Sequence, residues 1–197
     1  MSKYKKAEKI NFKSKKGGFT FDYDPTFENH LYNFLDTLDK TEIEVGIVSG
    51  KKKTEQLAMK HEFGSGNVPQ RSFLRRGWDE AGRIVMIEAL RELKRKFFKD
   101  LEGKRRAIGN ISEAHFFSQY QMIKILGKHL HNFVNFIQDR VLMGIMPKLK
   151  DFTIMLKREK RYPLPTTALI ATGNMIMKSL GYRIKVGKKW IKKMVKR

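Results

Sequence analysis

Five histidines, His30, His61, His115, His129 and His131, are the residues of this chain with the widest chemical range. His129 and His131 stand two apart, a spacing that turns them to different faces of a helix. His61 and Glu62 are adjacent and diverge in the same way, so they do not form an acid–base pair, and packing or capping is the expected role of His61. No H-E-x-x-H and no carboxylate–histidine grouping at ligand spacing occurs, so neither a metal nor a cofactor is expected. The chain has no cysteine, which removes thiolate ligands, thiol nucleophiles and disulfides together. Gly64-Ser65-Gly66 precedes a proline-containing loop instead of joining a strand to a helix, so it does not read as a phosphate cradle. The serines lack base and acid partners at any recognisable spacing. No catalytic residue is nominated, and the chain reads as non-enzymatic.

The chemistry that remains is charge. Lys and Arg number 42 against 20 Asp and Glu, a formal net charge of +22 over 197 residues. Such an excess bears on partners, not fold, and three kinds want it: nucleic acid, an anionic membrane surface, or an acidic protein assembly. Residues 1–20 sum to +6, 91–106 to +5 and 183–197 to +8, whereas 22–44 sum to −6. Lys185, Lys188, Lys189, Lys192, Lys193, Lys196 and Arg197 gather at the end with no acid among them, and an anion, DNA first, is their expected contact. Trp190, Ile191, Met194 and Val195 interleave with them. On a helix these four make a narrow apolar strip that docks on protein while the lysines face outward. Arg91, Lys94, Arg95 and Lys99 form a second basic face. Neither zinc-finger spacing, nor an RRM aromatic motif, nor a helix-turn-helix is present, so the expected contact is with phosphate and independent of base sequence.

The elements that must carry these residues follow from periodicity. A 41% hydrophobic share supports a core. No apolar run approaches the roughly 18–20 residues that span a bilayer, and the basic start Met1–Lys6 lacks the apolar stretch of a signal peptide. Synthesis in a cytoplasm without membrane insertion is therefore expected. Residues 9–23 alternate on both sides of Gly17-Gly18, as a β-hairpin does. Phe27, Leu31, Phe34, Leu35 and Leu38 have helical spacing, and Ile43, Val45 and Ile47 mark a strand over 42–48. A short helix runs from Thr54 to Phe63 and ends at Gly64. A long helical region spans about 73–158, with Met86, Leu90, Leu93, Phe97 and Leu101 as one stripe. Phe116, Tyr120, Ile123, Leu130, Phe133, Ile137 and Val141 make the other. A strand follows at Tyr182–Val186. The expectation is a single α+β domain over 1–187 with a basic C-terminal tail, 188–197. Its small mixed or antiparallel sheet, built from the hairpin, the 42–48 strand and the late strand, packs with helices, and a long helical hairpin is inserted between its parts.

Two blocks carry more than composition. The first is Leu57-Ala-Met-Lys-His-Glu-Phe-Gly-Ser-Gly-Asn-Val-Pro-Gln-Arg-Ser-Phe-Leu-Arg75, just after Glu44-Val45-Gly46-Ile47. The second is Thr167-Ala-Leu-Ile-Ala-Thr-Gly-Asn-Met-Ile-Met-Lys-Ser-Leu-Gly-Tyr-Arg-Ile184. Together, in this order, they resemble the minor tail, neck and tail-completion proteins of tailed bacteriophages. That group includes relatives of the lambda minor tail protein Z and of the Mu-type virion morphogenesis proteins. Glu62, Phe63, Gly64, Pro69, Arg71, Phe73, Leu74 and Arg75 match the first motif, and Thr172, Gly173, Ser179 and Tyr182 the second. Ser72 stands where that family usually has proline, Ala171 where it has aspartate, and Met175 where it has leucine. The resemblance implies a structural virion protein, a neck or tail-completion subunit joining tail to head. It implies copies of itself in a ring around the DNA channel, and a tail terminator or tube and head-completion or connector proteins as neighbours. Genomic DNA would be met without sequence preference, and the place would be the virion, assembled in the host cytoplasm. The alternative is a free, sequence-independent nucleic-acid-binding protein. Physically the blocks read as architecture: Phe63 and Phe73 as buried anchors, Val68-Pro69 as extended backbone, and Thr172 as the cap of a helix starting at Gly173.

Overall fold

Leu180–Val186 (β4) is flanked on both sides in an antiparallel sheet of order β3-β4-β5, between Thr41–Ile47 (β3) and Lys189–Met194 (β5). The computed structural model describes residues 10–13, 20–23, 26–48, 52–108, 119–144, 148–162, 164, 166, 178–186 and 189–194. As the central strand, β4 buries Leu180, Tyr182, Ile184 and Val186 on one face, the alternation that a half-covered antiparallel sheet requires. Its register sets Ile43 against Ile184, Val45 against Tyr182 and Ile47 against Leu180, so the apolar positions of β3 join the same face.

Two expectations about the sheet are corrected. The hairpin strands Ile10–Lys13 (β1) and Thr20–Tyr23 (β2) do pair, Phe12 opposite Phe21, but they form a separate two-stranded sheet. Residues 189–194 are not a helix. They take the side of β4 away from β3, with Ile191 opposite Ile184 and Trp190 opposite Lys185. Val186 and Lys189 pair with two residues between them, the spacing of a tight hairpin, and this nearby chain fills the place that a helical reading left open.

Six helices accompany the strands among the described residues: Thr26–Asp39 (α1), Lys52–Phe63 (α2), Phe73–Gly77 (α3), Arg83–Ile108 (α4), Gln119–Met143 (α5) and Asp151–Glu159 (α6). A π-helical turn, Trp78–Gly82, links α3 to α4. The expected long helix therefore exists but is interrupted, and an extra residue per turn rotates the faces on either side of it. The chain is α+β.

Helix α5 is the centre of the molecule. It packs against β4, α3 and α4, which is why Met122, Leu126, Leu130, Phe133, Val134, Ile137 and Val141 are all buried and its apolar surface is wider than a single stripe. Tyr120, expected inside, is 72% exposed, because the face it shares with Lys124 and Lys128 is the one these neighbours leave open. On α4 the buried row is Ala89, Leu93 and Phe97, and Leu90 is half-exposed. The small Ala89 rather than Leu90 is the residue of that turn taken into the core. Phe97 stacks on Phe34 of α1 with ring centroids 4.7 Å apart. Helix α3 crosses α5 at backbone contact. A Cβ added to Gly77 would sit 2.6 Å from Cγ1 of Ile137, so only glycine allows that approach.

Candidate functional site

The first motif block closes on itself. Helix α2 ends at Gly64, whose φ of +75° lies in the left-handed region that glycine enters without strain. Ser65 and Val68 then exchange backbone hydrogen bonds of 3.1 and 2.9 Å, and the chain reverses along α2. The buried Glu62 carboxylate receives the backbone N–H of Leu74 and of Arg75, both at 3.0 Å. These are free donors of the first turn of α3, and Ser72, the residue at the cap position, supplies no side-chain bond to them. Ser72 Oγ instead donates to the Glu62 carbonyl at 2.8 Å, a bond that proline at this position could not make. Gln70 Nε2 donates to the same carbonyl at 3.1 Å. Arg71 is buried, and its N–H donates to the His61 carbonyl at 2.6 Å. Pro69 is exposed at the turn and Leu74 packs against the core.

Phe73 is buried, as expected, at 2% exposure. Phe63 is not, and its 62% exposure corrects the anchor assigned to it. Ala58 and Glu62, four apart, are the buried pair of α2, so Phe63 points about 100° away from them. Its ring lies under the Arg75 guanidinium at 5.9 Å.

His61 faces the same corner. Its Nδ1 is buried without a hydrogen-bond partner among the described residues. Burial first, then the positive charges of Arg71 and Lys157, holds its imidazole below the ordinary value near 6.5. The folded chain therefore takes up this proton less readily than the unfolded chain. Its stability contribution is whole above about pH 6.5 and declines as pH falls below it. Thermal melts from pH 7.5 to 5.5 are expected to show a falling Tm, with the fall reduced in His61→Gln. Equal slopes in the two proteins would place the titration elsewhere.

The second block meets the strand that precedes the first. Val48 N–H donates to the Ser179 carbonyl at 3.0 Å, and Tyr182, opposite Val45 in the sheet, is buried. Burial pushes its phenol above the ordinary range. Ser179 and Tyr182 thus tie β4 to the strand that leads into the first block. Thr172 and Gly173, with the cap expected there, lie outside the described residues.

The terminal cations divide. Lys185 on β4 is not uncompensated: it pairs with Glu42 of β3 at 2.7 Å, as Arg183 pairs with Glu44 at 2.5 Å. Both cations also lie 5.4 Å from the Trp190 ring. Part of the acidic 22–44 segment is therefore spent within the chain. Lys189, Lys192 and Lys193 occupy β5, and Lys188, Lys196 and Arg197 lie outside the described residues.

Helix packing assembles a site that the linear reading missed. Arg91, Lys94, Arg95 and Lys99 are exposed on α4 as expected, and α5 runs beside them. Glu92 of α4 is bridged by Lys128 at 3.1 Å and by His129 at 2.8 Å. These hydrogen bonds, that from His129 foremost, hold the Glu92 carboxyl below its ordinary range. Beyond this clasp opens a cleft of about 970 Å³, lined by Arg95, Lys96, Lys99, Tyr120, Lys124 and Lys128 among others. A second hollow of about 450 Å³ lies on the other side of α5, against the sheet. The available signal was the i, i+4, i+8 series Tyr120, Lys124, Lys128, though nothing local says which helix faces it.

No protein-family model, no curated protein and no solved structure is detectably similar to this chain. Among the described residues no three His, Asp or Glu side chains gather as a metal site would require, and no helix is long and apolar enough to cross a membrane.

Proposed function

We propose that the chain is a structural virion protein, a neck or tail-completion subunit that joins a phage tail to the head and assembles with copies of itself in a ring. One observation supports an assembled state above the others. The outward side of α4 presents Ile84, Ile87 and Leu90 to solvent, Ile84 at 60% exposure. Neighbouring exposed apolar side chains on one helix mark a surface meant for another protein. The resemblance of the two motif blocks supplies the kind of assembly. The buried roles of Glu62, Phe73, Ser179 and Tyr182 accord with a motif that maintains architecture, as expected of a subunit without catalysis. In this reading the ring's neighbours are a tail terminator or tube on one side and head-completion or connector proteins on the other, with genomic DNA passing through.

The cationic cleft between α4 and α5 favours a second reading, a free sequence-independent nucleic-acid-binding protein. Mass spectrometry of gradient-purified phage particles separates the two. Peptides from this chain at low copy number are expected in the particle. Their confinement to the soluble lysate would overturn the virion assignment.

A further inference from the structure

We infer that the exposed ridge of α5, Tyr120, Lys124 and Lys128, seats a single-stranded nucleic acid, with phosphates in the α4–α5 cleft and a base in the hollow against the sheet. The inference stands on the two concavities and does not require the virion assignment, since a free binder and a neck subunit present the same ridge.

The cleft has the charge for phosphate. Its cations exceed its carboxylates even after the internal pairs are set aside. Lys96 is engaged by Asp100 at 2.6 Å and Lys128 by Glu92, while Arg95, Lys99 and Lys124 have no carboxylate partner among the described residues. These three converge from two antiparallel helices, so an anion between them meets positive charge on both walls. From Glu92 to Lys99 the cleft runs roughly 10 Å along α4, at about 1.5 Å per residue, a length that suits a short stretch of backbone.

The hollow has the chemistry for a base. Ile123, Tyr182, Ile184 and Ile191 give it an apolar floor. His131 and Asn132 stand at its polar side, and His131 Nδ1 is buried with no hydrogen-bond partner among the described residues. A flat ring with a polar edge matches such a surface. Tyr120, Lys124 and Lys128 line both concavities, so a sugar–phosphate unit crossing the ridge has phosphate on one side and its base on the other. Tyr120, at 72% exposure, offers an exposed aromatic ring to the next base, and such stacking is tolerant of sequence. In a duplex the bases are paired inward, so neither the hollow nor Tyr120 has anything to receive. The ridge therefore selects a single strand.

The test is fluorescence anisotropy of the full chain with a labelled oligothymidylate and with a duplex of equal length, from low to physiological salt. The single strand is expected to bind more tightly, with a log–log salt slope near −2 if about three phosphates are neutralised at about −0.7 each. Tyr120→Ala is expected to weaken the single strand by about 5- to 100-fold and the duplex hardly at all, while Tyr120→Phe keeps the affinity. Lys99→Glu with Lys124→Glu is expected to reduce binding at least about tenfold and flatten the slope. All these positions are exposed, and an unchanged circular dichroism spectrum confirms that each variant folds. No binding by the wild type, single-strand binding untouched by these substitutions, or duplex preference with Tyr120→Ala neutral would each overturn the proposal. Absence of the chain from purified particles would leave it standing.

Discussion

Phe73→Ala is expected to lower the unfolding free energy by about 3–5 kcal/mol, the usual loss when a buried phenylalanine is truncated, whereas Phe63→Ala changes it by less than about 1 kcal/mol. The two residues bracket one loop and have the same side chain, so the contrast depends on burial alone. Phe73 is 2% exposed in the main core, and Phe63 is 62% exposed with the Arg75 guanidinium over its ring. Urea titration of both variants against the parent checks this. Similar losses at the two positions would mean that Phe63 is covered after all, as by another copy of the chain. A subunit interface at Phe63 would reveal itself as a concentration-dependent Tm.

Glu62→Ala is expected to destabilise the chain by about 2–4 kcal/mol. The carboxylate accepts two backbone N–H groups of the first turn of α3, and hydrogen bonds to a charged acceptor are worth about 1.5–3 kcal/mol. Truncation leaves both donors part-buried and without this acceptor. Glu62→Gln keeps the volume and one oxygen acceptor, so its loss is expected to be smaller. For a chain of this size the alanine variant corresponds to a Tm lower by roughly 5–15 °C. If alanine and glutamine at this position melted with the parent, the cap would contribute nothing.

These two experiments also show where sequence reading succeeds and where it stops. Phe73 was legible because it opens a helix with apolar periodicity behind it. Phe63 was misread because hydropathy favours the phenylalanine of a Glu-Phe pair. What takes Glu62 inward instead is the start of α3, a group of donors more than ten residues away that no local window contains. The alternations at Ile43–Ile47 and Tyr182–Val186 marked β3 and β4 correctly, since period two survives without knowledge of the partner strand. Residues 189–194 defeated the same approach. Lys-Trp-Ile-Lys-Lys-Met does not alternate, and Trp190, Ile191 and Met194 fit a helical strip as well as a strand. Pairing with β4 decides. The cleft lay furthest from view. Arg95 and Lys124 come together only when α4 and α5 pack side by side, and each series alone looks like a solvated helix face.

The placement of β5 gives its lysines a further meaning. A strand with one unpaired side is an invitation to the strand of any other chain. Among the described residues β5 has a neighbour, β4, on one side only, and its sequence holds Lys189, Lys192 and Lys193, so a second copy approaching edge to edge would bring three like charges against three. Lysine on an outer strand is a common safeguard against this kind of stacking into fibres. The densest charge in the chain is thus explained in part by what it keeps away. Neutralising these three lysines should leave a protein that folds but precipitates as its concentration rises.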